Sequence, residues 1–210
     1  MLHIILYHPE IPQNTGNILR TAMATNSIVH IIGPIPFDIS DKALQRAGMD
    51  YIKEAKFDYY DSYEQFNEKF KDKKIYYVTK YGTNIYSKVD FSDPLEDVYV
   101  MFGRESTGID KEILSAHKDT TLRIPMMSTA RSLNLSNAVA IVVYEILKQK
   151  NFPELASFDM IKKYTISSTR FAFAKASTVS FLILLILIVV WFLIIASPSV
   201  CPRRTFFFFV

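Results

Sequence analysis

The sequence predicts an α/β domain built on a mostly parallel sheet with flanking helices. The chain has 210 residues, which is enough for one sizeable core. Short apolar segments alternate with helical patterns over residues 1–150. Because a helix between two strands forms a crossover connection, this alternation favours parallel pairing.

Six segments have the apolar, β-branched or aromatic composition of buried strands, and each is followed by turn-forming residues. They are Leu2–Tyr7, Ile28–Ile32, Ala55–Tyr59, Ile75–Thr79, Val98–Phe102 and Thr121–Ile124. The predicted helices between and after them are Asn17–Thr25, Asp41–Ala47, Ser62–Phe70, Asp110–His117 and Asn134–Lys150. No internal repeat is visible, so we expect a single catalytic domain over residues 1–155.

The net charge of +3 is unevenly distributed. Six basic residues and no acidic residue follow Asp159, which leaves 18 basic against 21 acidic residues in 1–159. Any nucleic-acid binding by the domain must therefore depend on a local patch. The single cysteine, Cys201, excludes an intrachain disulfide, and together with the absence of a secretion signal it favours a cytoplasmic protein.

The composition changes sharply after Ile166, and every residue from Phe181 to Ala196 is apolar. As a helix, this run with its flanking residues would cover about the 30 Å of a bilayer core. We therefore expect a basic linker at 156–177, an extra C-terminal hydrophobic transmembrane helix at 178–197 and a tail at 198–210. That arrangement would anchor a cytoplasmic catalytic domain to the membrane through its tail. The alternative is a frameshift or read-through product, because the last residues do not look like an anchor.

The first polar segment, Pro12–Arg20, lies between a strand and a helix, where open α/β sheets usually bind ligands. Asn14 and Thr15 are candidate N-caps, and Gly16 would allow close backbone approach. Free N–H groups at the helix start would suit a phosphate, to which Arg20 could reach back. The alternative is an ordinary capped helix with a surface arginine.

Two further polar segments follow later strands. The loop Gly103–Gly108 places Glu105 between two glycines, which is typical either of backbone near a ligand or of a plain turn. The segment Ser132–Asn137 crowds polar side chains at the start of an otherwise apolar helix. Capping would explain one of them, and the others indicate that this helix end faces a specific ligand.

Together the segments resemble the three motifs of the SpoU (SPOUT) methyltransferase family. These motifs are Asn-x-Gly-Asn-x-x-Arg, Gly-x-Glu-x-x-Gly and Ser-Leu-Asn-Leu-Ser-x-Ala, and they occur here in order within residues 1–155. Met1–Arg20 and Arg46–Tyr51 are most similar to the small enzymes that methylate the tRNA wobble nucleotide. The resemblance implies transfer of a methyl group from S-adenosylmethionine to a ribose 2′-hydroxyl in the anticodon stem-loop.

The same resemblance implies a trefoil knot in the C-terminal part of the domain and a homodimer that pairs through the first and last helices. The positions that match the family's cofactor-binding residues are Val78, Gly103, Ile124 and Ser132. The positions that match its catalytic and substrate-organising residues are Asn14, Arg20, Glu105 and Asn134.

Methyl transfer from a sulfonium is an in-line displacement, so positioning of the 2′-oxygen is the main task. The family resemblance would make Arg20 the general base, but a guanidinium has no acceptor for a proton. We therefore expect Arg20 to bind the adjacent phosphate and orient the hydroxyl, with Glu105 fixing its guanidinium.

The sequence also bears on other functions. The four histidines lack metal-ligand spacing, and neither a dinucleotide fingerprint nor a P-loop is present, so no metal site is expected. Within the same chemistry, the alternative substrate is ribosomal RNA or another tRNA position. In a different class, the alternative is a catalytically silent RNA-binding adaptor.

Overall fold

The computed structural model describes residues 1–38 and 55–156, and Met1–Leu155 form one compact unit. The strands are β1 (Leu2–Tyr7), β2 (Ile28–Ile32), β3 (Phe57–Tyr60), β4 (Ile75–Val78), β5 (Asn84–Ile85), β6 (Val98–Phe102) and β7 (Thr121–Arg123). The α-helices are α1 (Pro12–Ala24), α2 (Tyr63–Phe70), α3 (Lys111–Ala116) and α4 (Leu135–Gln149). Short 3-10 turns occupy Tyr86–Lys88 and Lys118–Thr120.

The seven described strands form one sheet in the order β3-β2-β1-β6-β4-β7-β5, and every pairing is parallel. This confirms the predicted parallel α/β fold. Phe102 at the end of β6 is in register with Leu6 of β1 and with Val78 of β4. The carboxyl ends of these three neighbouring strands therefore lie at one level, where they can share a site.

The central strands β1 and β6 are buried at every position, because helices cover both faces of the sheet. Alternate residues of β1 enter two separate cores. Ile4 and Leu6 pack in the core that contains residues of α1 and α4, whereas Ile5 and Tyr7 pack in the core that contains α2. The sheet thus holds the two helices that carry the first and third polar segments on the same face.

Most predicted elements are confirmed to within one or two residues. The predicted helix at Ser62–Phe70 is α2, for which the Ser62 hydroxyl accepts from the Gln65 N–H and caps the helix. Asn134 and Lys150 are the caps of α4. The two-residue edge strand β5 was not predicted because it has no periodicity to recognise. The predicted helix Asp41–Ala47 lies outside the described residues.

The prediction for the first helix is wrong at its start. Helix α1 begins at Pro12 instead of Asn17, and Asn14 and Thr15 are buried within its first turns instead of capping it. Proline suits this first position because it has no N–H to leave unpaired and its φ is already helical. Ile11 is the N-cap residue and makes no side-chain capping bond.

The expectation of a membrane-spanning helix is withdrawn. No helix within residues 1–38 and 55–156 is long and apolar enough to cross a bilayer. The longest described helix, α4, has 15 residues and carries charged side chains near its end, whereas a span needs about 20 mostly apolar residues. The predicted transmembrane segment at 178–197 lies outside the described residues, as do nearly all of the linker and the whole of the tail.

Candidate active site

A pocket of about 720 Å³ opens at the carboxyl ends of β6, β4 and β7, beside the start of α1. Seven of the eight site residues predicted from the sequence line it: Asn14, Val78, Gly103, Glu105, Ile124, Ser132 and Asn134. They come from four separate segments of the chain that are brought together by the parallel sheet. This size is within the usual range of about 300–1,000 Å³ for small-molecule sites.

A chain of hydrogen bonds joins the three polar segments on the pocket wall. The Asn14 Nδ2 donates to Glu105 Oε1 at 2.9 Å, and the Asn134 Nδ2 donates to Asn14 Oδ1 at 2.9 Å. Asn134 Oδ1 in turn accepts from the N–H and the hydroxyl of Ser136 at 2.9 and 2.7 Å, and from the Asn137 N–H at 3.4 Å. We call Glu105, Asn14 and Asn134 the relay.

The relay has its direction fixed at both ends. A carboxylate can only accept, so Asn14 must turn its NH₂ towards Glu105 and its carbonyl oxygen towards Asn134. At the other end, the backbone N–H groups of α4 can only donate, so Asn134 must turn its oxygen towards the helix. Both ends require the same orientation, and each amide keeps a second N–H outside the relay bonds.

An anion of the protein itself, Glu105, binds the backbone just before α1. The Glu105 carboxylate accepts from the Glu10 N–H at 2.9 Å and from the Ile11 N–H at 3.3 Å, in addition to Asn14. These two backbone donors belong to residues that precede Pro12, whereas the N–H groups that we predicted for a substrate phosphate are those of the helix start itself. Because a helix N-terminus favours negative charge, Glu105 is stabilised there. The carboxylate is therefore held by three N–H donors.

The loop after β6 needs its two glycines for different reasons. A Cβ on Gly103 would lie 2.2 Å from the backbone carbon of Gly108 and 2.3 Å from the Ile109 nitrogen. Gly108 has open space around it but a φ of +79°, in the left-handed region that favours glycine. Reciprocal backbone bonds between Arg104 and Gly108, at 3.2 and 3.0 Å, close the loop.

An ion pair between Arg104 and Asp110 also stabilises this loop. The Arg104 guanidinium donates to Asp110 Oδ1 at 2.6 Å and lies 4.8 Å from the centre of the Tyr7 ring. The Tyr7 hydroxyl donates to the other Asp110 oxygen. Burial, followed by the bond to Asp110, raises the pKa of Tyr7 to about 12, while the bonds from Arg104 and then Tyr7 lower the pKa of Asp110. At neutral pH Tyr7 is therefore a neutral donor and Asp110 an anion.

Arg20 is the predicted site residue that does not line the pocket. It lies six residues beyond Asn14 on α1 and is exposed. Six residues along a helix turn the side chain by about 240° from Asn14 and advance it by about 9 Å. The Glu105 carboxylate that we expected to fix the Arg20 guanidinium holds Asn14 and the Glu10 and Ile11 N–H groups.

Sequence reasoning missed Glu10, Ser106, Tyr7 and Asp110. The Glu10 carboxylate accepts from the Ser106 N–H at 2.9 Å and from its hydroxyl at 2.7 Å. No local pattern marks Glu10 or Ser106. A weak signal was available for Tyr7 and Asp110, since Tyr7 ends a buried strand with a polar group and Asp110 precedes a helix.

Known proteins support this geometry. The model of the SpoU rRNA Methylase family matches residues 1–144. The tRNA (cytidine(34)-2'-O)-methyltransferase of Escherichia coli K12 is 42% identical over 154 residues, which are 73% of this chain and 96% of that protein. A Geobacillus stearothermophilus protein, provisionally assigned the same tRNA reaction, is 48% identical over 155 residues, 74% of this chain and 99% of the relative.

Solved structures agree with the sequence relatives. A structure from a study of 2-OH methylation of C/U34 on tRNA has a TM-score of 0.66 and 38% identity, and the match covers 72% of this chain and 97% of that one. The polar segments that meet at the pocket are the motifs of one family, and the family model matches more than half of the sequence. This chain therefore belongs to the SpoU rRNA methylase family.

Proposed function

We propose that this protein transfers a methyl group from S-adenosylmethionine to the ribose 2′-hydroxyl of the tRNA wobble nucleotide, cytidine or uridine. The observation that carries the proposal is the relay, because it unites the three family motifs at one pocket. The names of the full-length relatives supply the substrate. A tRNA substrate also supports a cytoplasmic location for the domain.

The residues proposed to hold the cofactor are Val78, Gly103, Ile124 and Ser132. All four line the pocket, and three of them lie at or just beyond the carboxyl ends of the neighbouring strands β4, β6 and β7. Strand ends offer backbone N–H and C=O groups beside apolar side chains, which suits a ligand with both an aromatic base and polar ends. When bound, the cofactor supplies the methyl group on a sulfonium.

The relay is proposed to organise the substrate ribose. Its fixed direction leaves an N–H on Asn14 and one on Asn134 that can donate to substrate oxygens. Glu105 acts through Asn14, since three donors already occupy its carboxylate. Holding the 2′-oxygen in line with the methyl carbon accounts for most of the rate in a displacement of this kind.

Arg20 is proposed to bind the phosphate next to the target ribose. A guanidinium can grip a phosphate with two N–H groups, which fixes both the distance and the orientation of the RNA. Arg20 lies on the exposed side of α1 in one copy of the chain. This position suits a site to which two copies contribute.

The proposed homodimer would meet through α1 and α4, which pack on the same face of the sheet. Two large apolar residues of α4, Ile141 and Tyr144, are 37% and 48% exposed. Mixing Arg20→Ala chains with chains that lack cofactor binding tests whether Arg20 serves the pocket of its partner. Recovered activity in the mixture would support that role, whereas two inactive parents that stay inactive would place Arg20 in its own pocket.

The trefoil knot is a further part of the proposal. Strand β4 lies between β6 and β7 in the sheet, although β5 separates it from β6 along the chain. Crossings of this kind around the pocket are what the family resemblance leads us to expect. When the two ends of residues 1–155 are pulled apart, the unfolded chain should have a shorter contour length than an unknotted chain of the same number of residues. The reason is that a knot tightens under tension and keeps some residues inside it.

The second candidate substrate is ribosomal RNA, because the matching family is described as rRNA methylases. The intact relay argues against a silent RNA-binding adaptor, since an adaptor needs no oriented amides at a cofactor pocket. Nucleoside mapping of tRNA and ribosomal RNA from a deletion strain is the direct test. Loss of one 2′-O-methylated wobble nucleotide supports the proposal, and unchanged tRNA with altered ribosomal RNA would replace it.

A further inference from the structure

Glu10 forms a reciprocal clasp with the loop after β6. Its carboxylate accepts from the N–H and the hydroxyl of Ser106, while its own N–H donates to the Glu105 carboxylate. The two segments are 96 residues apart in sequence and follow the paired strands β1 and β6. Each loop therefore supplies one carboxylate and one backbone donor to the other.

The clasp is not what gives the loop after β6 its internal shape. The backbone bonds between Arg104 and Gly108 close that loop, and the Arg104 bond to Asp110 anchors it towards α3. The Arg104–Asp110 pair contacts Tyr7, the last residue of β1, but not the segment between β1 and α1. The hydrogen bonds between that segment and the loop after β6 all involve Glu10 or Glu105, so they set the relative placement of the two segments beyond the paired strands.

We propose that Glu10 is a positioning residue for methyl transfer, which keeps Glu105 aimed at Asn14 by holding Ser106. This inference rests on the proposed function. If the clasp opens, the Gly103 turn keeps its shape and the cofactor seat is preserved. The relay, in contrast, loses the fixed end that orients Asn14. The predicted defect is therefore in turnover and not in cofactor affinity.

The test is a small set of variants of the full chain, measured for kcat and KM on tRNA, for S-adenosylmethionine Kd by calorimetry, and for Tm. Glu10→Ala should lower kcat about tenfold and change the cofactor Kd less than about twofold. Glu10→Gln keeps an acceptor for the Ser106 N–H and a donor for its hydroxyl, so it should recover activity to within about threefold of wild type. Glu68→Ala, which removes an exposed carboxylate on α2, is the matched control.

Ser106→Ala is a second test of the clasp. It removes the hydrogen bond from the Ser106 hydroxyl to Glu10 and leaves the bond from the Ser106 N–H. It should cost about two- to threefold in kcat alone and nothing further when added to Glu10→Ala. Additive losses, a wild-type kcat in Glu10→Ala, or a loss confined to Tm or cofactor affinity would each overturn the inference.

Hydrogen exchange separates this inference from the proposed function. Amides in the peptide that contains Ser106 should exchange faster in Glu10→Ala than in wild type, and at the wild-type rate in Glu68→Ala. If wild-type protein fails to methylate tRNA, the proposed function fails, and the exchange rates still decide whether the clasp exists. Unchanged exchange at Ser106 would overturn the clasp, whatever the activity.

Discussion

Two polar clusters lie against the same sheet, and they differ in whether they contain a charged side chain. The relay at the carboxyl ends of the strands contains an anion, Glu105, that is held by three N–H donors and borders the pocket. The second cluster is the pair His3 and His30, which are 8% and 2% exposed and share a hydrogen bond of 2.9 Å. It is buried away from the pocket among aromatic rings.

The histidine pair is kept neutral by burial. Desolvation is the largest cause that lowers the pKa of His3. For His30 it acts together with the repulsion that a protonated His3 would exert, and the pKa of His30 falls to about 4. Asp58 lies 3.6 Å from His30 Nδ1 and opposes this shift. Its side chain is 54% exposed, so water screens the attraction and desolvation dominates.

Aromatic rings and charged groups from neighbouring elements face the pair. His3 stacks on Tyr99 of β6 and is influenced by Asp97, Lys73 and the N-terminal ammonium. His30 contacts the hydroxyl of Tyr60, and its ring packs against Phe66 and Phe70 of α2, with the charge of Lys69 beyond. N–H donors can thus stabilise a charge beside a pocket, whereas a buried polar pair without such donors stays neutral and affects the stability of the fold.

The largest effect is expected from Glu105→Gln. An NH₂ in place of one carboxylate oxygen would face either the N–H groups of Glu10 and Ile11 or the NH₂ of Asn14, so the relay loses its fixed direction. We expect kcat to fall about 10²- to 10³-fold. Methylation assays test this, with Glu112→Gln as an exposed control on α3. A wild-type kcat in Glu105→Gln would contradict the role of the relay.

Arg20→Ala should lower kcat/KM on tRNA about a hundredfold and change cofactor affinity less than about twofold, because Arg20 lies outside the pocket and is proposed to bind phosphate. Methyl-transfer kinetics and cofactor calorimetry give the two values. Lys71→Ala removes an exposed cation on the other face of the sheet and serves as the control. Lost cofactor binding with residual transfer would contradict the assigned role.

A pair of glycine variants tests the loop that carries Glu105. Gly103→Ala places a Cβ against the Gly108 backbone and should weaken cofactor binding about tenfold or more and lower Tm. Gly108→Ala meets open space, so it should cost only the strain of a positive φ, about 1 kcal/mol. Equal defects in the two variants would show that steric contact within the loop is not the cause.

The smallest effect concerns stability and leaves activity unchanged. Because the pKa of His30 is about 4 in the folded protein and near 6.5 when unfolded, the unfolded chain takes up the proton first as pH falls. Stability is therefore complete above about pH 6.5 and should decline by about 2 kcal/mol between pH 7.5 and 5. His30→Gln should flatten this decline without changing kcat. Urea unfolding at several pH values measures the decline in each protein.

The sequence alone predicted the parts of this protein that depend on interactions between residues close together in the chain. Continuous apolar composition marked β1 and β6 as buried strands, and Asn134 before an apolar helical run marked the capped start of α4. The order and spacing of the three motifs carried the family resemblance, and seven of the eight predicted site residues line one pocket.

What fills the start of α1 was decided by the tertiary structure. The local pattern suggested Asn14 as a cap and left the N–H groups of this end for a phosphate, but Glu105 arrives there from 91 residues away because β6 pairs with β1. Glu10 and Ser106 meet for the same reason. Strand order is set by how the whole core packs, and hydrogen bonds between loops follow that order, so short-range periodicity contains no signal for them.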